Sequence, residues 1–147
     1  MSRTRRWIPI GGLIATIAAA SYTVVQLNGQ AQAPTADLTN AAKAEVRDAQ
    51  GRAVLQGQFM MPVEEDGNFE RRAMLTPTGI DADASGEAEV EFAKTAATTQ
   101  EVEFTVADLQ PQTRFTFVVD GTEIASVTTD RRGRADVEVD VKVPGSR

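Results

Sequence analysis

Beyond about Ala42 the chain alternates apolar and polar residues at period two, in short runs separated by Gly and Asp. Successive side chains of a strand point to opposite sides, so this alternation describes strands with one buried and one wet face. Eight runs carry it: Lys43 to Arg47, Arg52 to Phe59, Arg71 to Thr76, Glu87 to Phe92, Glu101 to Val106, Arg114 to Val119, Glu123 to Thr128 and Ala135 to Val141. Helical spacing is nearly absent from this region. Val102, Phe104 and Val106 share a face, as do Phe115, Phe117 and Val119, and as do Val137, Val139 and Val141. These positions predict the core, where each side chain, fully buried, contributes roughly 1.5–3 kcal/mol. Their strand neighbours Glu101, Glu103, Arg114, Thr116, Asp136, Glu138 and Asp140 are expected in water.

The turns carry a repeated motif, Asp-x-x-Gly-charged-Ala, at Asp48–Ala53, Asp83–Ala88 and Asp130–Ala135. An Asp opening a type I turn can accept from the backbone two residues on, and Gly takes the left-handed position that closes the hairpin. Each copy therefore predicts a hairpin. Val119-Asp120-Gly121-Thr122 predicts a further one, because Asp-Gly suits a tight two-residue turn.

The run Val106 to Phe117 resembles the corner between sheets in fibronectin type III domains, whose Leu-x-Pro-x-Thr-x-aromatic pattern is met by Leu109, Pro111, Thr113 and Phe115. Phe115 stands where that family has tyrosine, so the corner hydrogen bond made by the tyrosine hydroxyl is lost. The resemblance implies a β-sandwich of immunoglobulin-like type and carries over no binding residues. The expected architecture is a single antiparallel β-sandwich of seven or eight strands, covering residues 42–147 and following a hydrophobic leader helix.

The first six residues include Arg3, Arg5 and Arg6, and the 21 residues from Trp7 to Leu27 are uncharged. This is an export signal by pattern. Ala31-Gln32-Ala33 offers the small-x-small arrangement of a signal-peptidase site, so residues 1–33 read as a leader cleaved after Ala33. Retention as a signal anchor stays open, since about 20 uncharged residues can span a bilayer. Both readings place the rest of the chain outside the cytoplasm, periplasmic or extracellular, and touching a membrane only through an uncleaved leader. Residues 34–41, mostly Ala, Thr, Pro and Asp, read as a linker.

Composition then removes most chemistry. Fifteen basic residues less the three leader arginines leave twelve against twenty-one acids, a body charge near −9. Such a surface repels phosphate backbones and anionic lipid, so nucleic acid is not an expected partner. Cysteine and histidine are absent, and the single Trp and Tyr are Trp7 and Tyr22 of the leader. Ser-His and Cys-His nucleophiles, His or Cys zinc sites and aromatic sugar platforms go with them. Carboxylates alone can hydrolyse glycosides or peptides, but no Asp-Thr-Gly motif or flanking aromatic accompanies an acid here. The six phenylalanines, Phe59, Phe69, Phe92, Phe104, Phe115 and Phe117, read as core.

Two constellations remain. Asp81, Asp83, Ser85 and Glu87 place oxygens at alternate positions with Gly86 at a bend, like the first half of a calcium loop, but Phe92 occupies the position of the closing bidentate Glu. A plain turn explains them as well. Glu87, Glu89 and Glu91 should pair antiparallel with Glu101 and Glu103 through residues 93–99, forming an acidic face. Like charges opposed across a sheet destabilise it by roughly a few tenths of a kcal/mol, a cost that a cationic partner would offset and that solvated edge protection would also explain. Arg71-Arg72 and Arg131-Arg132 read as solubilising pairs. The expectation is a non-catalytic module without a cofactor, acting through contact with a protein partner, with calcium binding at Asp81, Asp83, Ser85 and Glu87 as the alternative.

Overall fold

A computed structural model of the chain describes residues 33–94 and 98–145. The predicted leader lies outside the described residues, apart from Ala33. Within them every strand pairs antiparallel and there is no helix. All eight predicted strands are present: β1 Lys43–Arg47, β2 Ala53–Gln58, β4 Asn68–Pro77, β5 Ser85–Ala93, β6 Thr99–Ala107, β7 Arg114–Val119, β8 Thr122–Thr128 and β9 Ala135–Lys142. A ninth, β3 Val63–Glu65, is too short for alternation to reveal. Its hairpin to β4 was nevertheless encoded, because Asp66-Gly67 adopts the left-handed φ values of 49° and 83° that a two-residue turn needs.

The core falls where the alternation put it. Val102, Phe104, Val106, Phe115, Phe117, Val119, Val137, Val139 and Val141 are all buried. Phe104 of β6 meets Phe117 of β7 edge-on across the interior, with ring centroids 5.0 Å apart. Phe59 and Phe69 pack only partly against this core, and Phe69 leans on Phe92 near one end at 5.6 Å. A slip of one residue would turn every buried valine outward, so burial of one face fixes the register.

The strands run in the order β8-β7-β1-β2-β4-β5-β6-β9, with β3 on the flank of β4. β4 is long enough to serve both halves: Asn68 to Leu75 pair with β5, and Thr76 and Pro77 pair with Gln56 and Leu55 of β2. The two end strands, β8 and β9, come to lie beside each other without pairing. The expected pair of separate stacked sheets is thus one continuous sheet curled nearly into a barrel. Sequence alternation reports which face is buried, and it is silent on whether that face belongs to one curled sheet or two.

Two copies of the turn motif behave alike. Asp48 Oδ1 accepts from the N–H of Gln50 and Arg52 at 3.0 and 2.9 Å, and Asp130 Oδ1 accepts from Arg132 and Arg134 at 2.7 and 2.9 Å. Gly51 and Gly133 sit at φ 76° and 72°. The third copy also lies between paired strands, β4 and β5, but does not form the turn. The bend falls earlier, at residues 79–84, and Gly86 lies inside β5 opposite Val106. Arg52 salt-bridges back to Asp48 at 2.7 Å, whereas the same position in the third copy is Glu87, which would repel Asp83. Gly86 has a different duty there: a Cβ would come within 2.9 Å of both Thr105 O and Val106 Cγ1.

Residues 34–41, expected as a linker, lie against the domain. Ala36 N–H donates to Lys142 O and Lys142 N–H to Pro34 O, each at 2.9 Å. Leu38 and Ala41 are buried in the core, and Leu38 N–H donates to the buried Gln100 side chain at 2.7 Å. One large apolar side chain, Leu38, among small and polar residues gives alternation too little to show. Arg71, read as a solubilising charge, instead holds this segment, donating from Nε to Thr39 O at 2.8 Å. The Leu109–Phe115 corner closes without a tyrosine. Leu109 is buried, and the buried Thr129 hydroxyl donates to Gln110 O at 2.6 Å while accepting from Thr113 N–H at 3.1 Å.

Candidate functional site

Register across β4, β5, β6 and β9 assembles the most unusual surface of the molecule. Side chains in register on the outer face form three rows: Glu70, Glu91, Glu101 and Asp140; Arg72, Glu89, Glu103 and Glu138; Met74, Glu87, Thr105 and Asp136. Each strand reaches this face because its other side is committed to the core, as with Ala88 and Val90 of β5 or Val137 and Val139 of β9. The predicted pairing of Glu89 with Glu103 and Glu91 with Glu101 is present, while Glu87 faces Thr105. Sequence reasoning missed the flanks, Glu70 and Arg72 on one side and Asp136, Glu138 and Asp140 on the other. Neighbours along the chain do not reveal that β9 returns past β7 and β8 to pair with β6.

Arg72 anchors the face rather than merely solubilising it. Its Nε pairs with Glu70 and lies 3.4 Å from Glu89 Oε2, and its Nη1 lies 3.9 Å from Glu87 Oε1. Glu89 sits deepest among these four, with 16 % of its side chain exposed against 40 % for Arg72 and Glu87. Burial, then the charge of Glu70, push the Glu89 carboxyl up to about 7 against the pull of Arg72, with Glu103 and Glu87 adding to the rise. Burial followed by the charges of Glu138 and Asp136 raises Glu103 in the same direction. The face is therefore short of positive charge, and its centre resists ionisation.

The four residues of the calcium reading are placed differently. Asp81 and Asp83 belong to the bend before β5, whereas Ser85 and Glu87 are part of β5, opposite Ala107 and Thr105. Glu87 is drawn toward Arg72. Among the described residues, no group of three or more acids is arranged to hold a metal ion.

Two surface hollows of about 460 and 490 Å³ lie elsewhere. One is lined by Arg47, Arg114 and Glu123, the other by Phe69, Phe92 and Gln100, and neither is lined by the row of glutamates. In the second hollow the polar groups are already engaged: Gln100 Nε2 donates to the Thr39 hydroxyl at 3.0 Å, and Asp37 accepts from the Thr39 N–H and hydroxyl. Compared with protein-family models, with curated proteins and with solved structures, the chain matches none. The likeness of residues 106–117 to a fibronectin type III corner thus rests on those residues alone.

Proposed function

We propose that the chain is an exported, non-catalytic module that acts by protein contact, and that the outer face of β4, β5, β6 and β9 meets a cationic partner. The observation that carries this reading is the register itself: nine carboxylates from four strands share one face with a single arginine among them, Arg72. Like charges in direct opposition cost folding free energy, and burial of Glu89 and Glu103 adds to that cost. A basic partner offsets the repulsion between these carboxylates by supplying counter-charge. Strands on a packed core hold these carboxylates in fixed positions, so little ordering is required on binding.

Cross-linking tests the reading. A photoreactive side chain is placed at Glu138 or Glu101, and for comparison at Gln50 in the β1–β2 turn, in the full chain expressed in its own cells. Adducts to a basic protein from the first two positions and none from Gln50 support the assignment. Adducts from Gln50 alone, or equally from all three, overturn it.

A further inference from the structure

Beside the acidic face lies a strip of exposed apolar side chains that no core position explains. Met60 is 58 % exposed, Met61 82 %, Val63 66 % and Met74 62 %. The chain contains four methionines, one of them Met1, and the other three are all exposed. Backbone pairing makes the strip continuous with the rows of acids. Met60 N–H donates to Arg72 O at 2.8 Å, which sets Met60 at the β3 end of the row Arg72, Glu89, Glu103 and Glu138. Val63 stands opposite Glu70 at the end of the neighbouring row, and Met74 begins the third, opposite Glu87. Isolated exposed hydrophobics are ordinary on a protein surface. Adjacent ones ending three successive rows of acids form a single amphipathic surface.

We propose, building on the protein-contact reading above, that this surface docks a basic amphipathic segment of a partner protein. The segment lies along the strands with its apolar side chains on Met60, Met61, Val63 and Met74 and its lysines or arginines over the glutamates of β5 and β6. Dimensions agree: neighbouring strands are about 4.8 Å apart, so the β5 glutamates lie about 10 Å from Met60 and Val63, within the roughly 10–12 Å width of a helix, and those of β6 lie about 14 Å away, within reach of a long lysine or arginine side chain on that helix. Methionine suits the task because its unbranched, polarisable side chain adapts to differently shaped apolar partners. Charge selects the occupant. A second copy would bring its own acids against these, and an anionic membrane would be repelled by the same field.

The experiment uses the full chain and three synthetic peptides of equal length. One carries leucine and lysine at helical i, i+3, i+4 spacing, one is the same composition scrambled, and one is lysine and alanine only. The proposal expects the patterned peptide to bind at least about tenfold more tightly than the scrambled one. The triple variant M60Q/M61Q/M74Q, whose exposed positions leave the fold and its circular dichroism unchanged, should abolish that preference while still binding the lysine peptide. The variant E101Q/E103Q/E138Q should weaken all three. Equal binding of patterned and scrambled peptides, or an undiminished preference in the methionine variant, overturns the docking proposal and leaves the acidic-face reading standing. Failure of every peptide to bind overturns both. Sedimentation of the unbound chain supplies the remaining arm: self-association that disappears in M60Q/M61Q/M74Q would identify a second copy as the occupant and overturn the assignment to a basic segment.

Discussion

Replacing Glu89 by glutamine should make the domain more stable above neutrality and leave it nearly unchanged in acid. The Glu89 carboxyl is raised from an ordinary 4.5 to about 7, first by burial, then by Glu70, with Arg72 opposing. A folded pKa above the unfolded one means that the folded state favours the protonated form. Below about pH 4.5 both states hold the proton and nothing is lost. Between 4.5 and 7 the unfolded chain ionises first, so stability falls as pH rises, and above 7 the full cost is present. Its ceiling is on the order of 3 kcal/mol. Solvent around the half-buried carboxyl, and the coupling to its neighbours, bring the expected effect below that ceiling. Glutamine gives up the 3.4 Å contact with Arg72, but Arg72 keeps Glu70 and Glu87, so a net gain of about 1–2 kcal/mol is expected at pH 8. Urea unfolding followed by far-ultraviolet circular dichroism at pH 4 and pH 8 measures it. Tryptophan emission cannot serve, because the only Trp is Trp7. A variant equal to or less stable than the wild type at pH 8 would refute the claim that the centre of the face resists its own charge. Asp37 and Asp130, whose pKa values are lowered, act in the opposite direction. What they stabilise is lost as pH falls below the ordinary carboxylate range, outside the window that Glu89 governs.

Thr129→Val should cost about 2 kcal/mol, since the Gln110 carbonyl and the Thr113 N–H both lose their partner in a buried corner; thermal unfolding checks it. Gly133→Ala should be worse, on the order of 3 kcal/mol, because a Cβ there would sit 1.9 Å from Leu109 O at a left-handed φ of 72°. Gly121→Ala, with a similar φ of 80° and open space around it, should cost only about 1–2 kcal/mol, and equal losses at the two sites would show that crowding at Leu109 is unimportant. Calcium and chelator should leave the same unfolding midpoint, as Glu87 turns toward Arg72; a calcium-dependent rise would restore the Asp81, Asp83, Ser85 and Glu87 site. Purified exported protein processed after Ala33 should show almost no absorbance at 280 nm, because Trp7 and Tyr22 both precede the cut.

Local signals were read well because they act locally. Alternation placed Val102, Phe104 and Phe117 in the core, and Asp120-Gly121 adopts the φ values of 46° and 80° that its hairpin required. The acidic pairing of β5 with β6 was legible for the same reason, since a short connection joins them. The sequence could not show that β9 flanks that pair, because the chain reaches it only after passing through β7 and β8; β4, joined to β5 by the short connection at residues 78–84, was the legible neighbour. Arg72, Met60 and Asp140 therefore came together only in the structure. The Asp83 copy of the turn motif marked a hairpin, β4 to β5, but misplaced its turn: Glu87 stands where the two working copies carry Arg52 and Arg134, and Gly86 lies inside β5. Leu38 was missed because one buried side chain has no period.

β4 has a further consequence through its double membership. Its N-terminal part completes one half of the sheet and its last residues complete the other. Neither half can detach without stripping its neighbour of a strand, so partial opening gains nothing and the domain should come apart as one cooperative unit. Amide protons in the middle of β4 should then exchange with solvent only through whole-molecule unfolding, and fragments divided at residues 79–84 should stay unfolded until mixed.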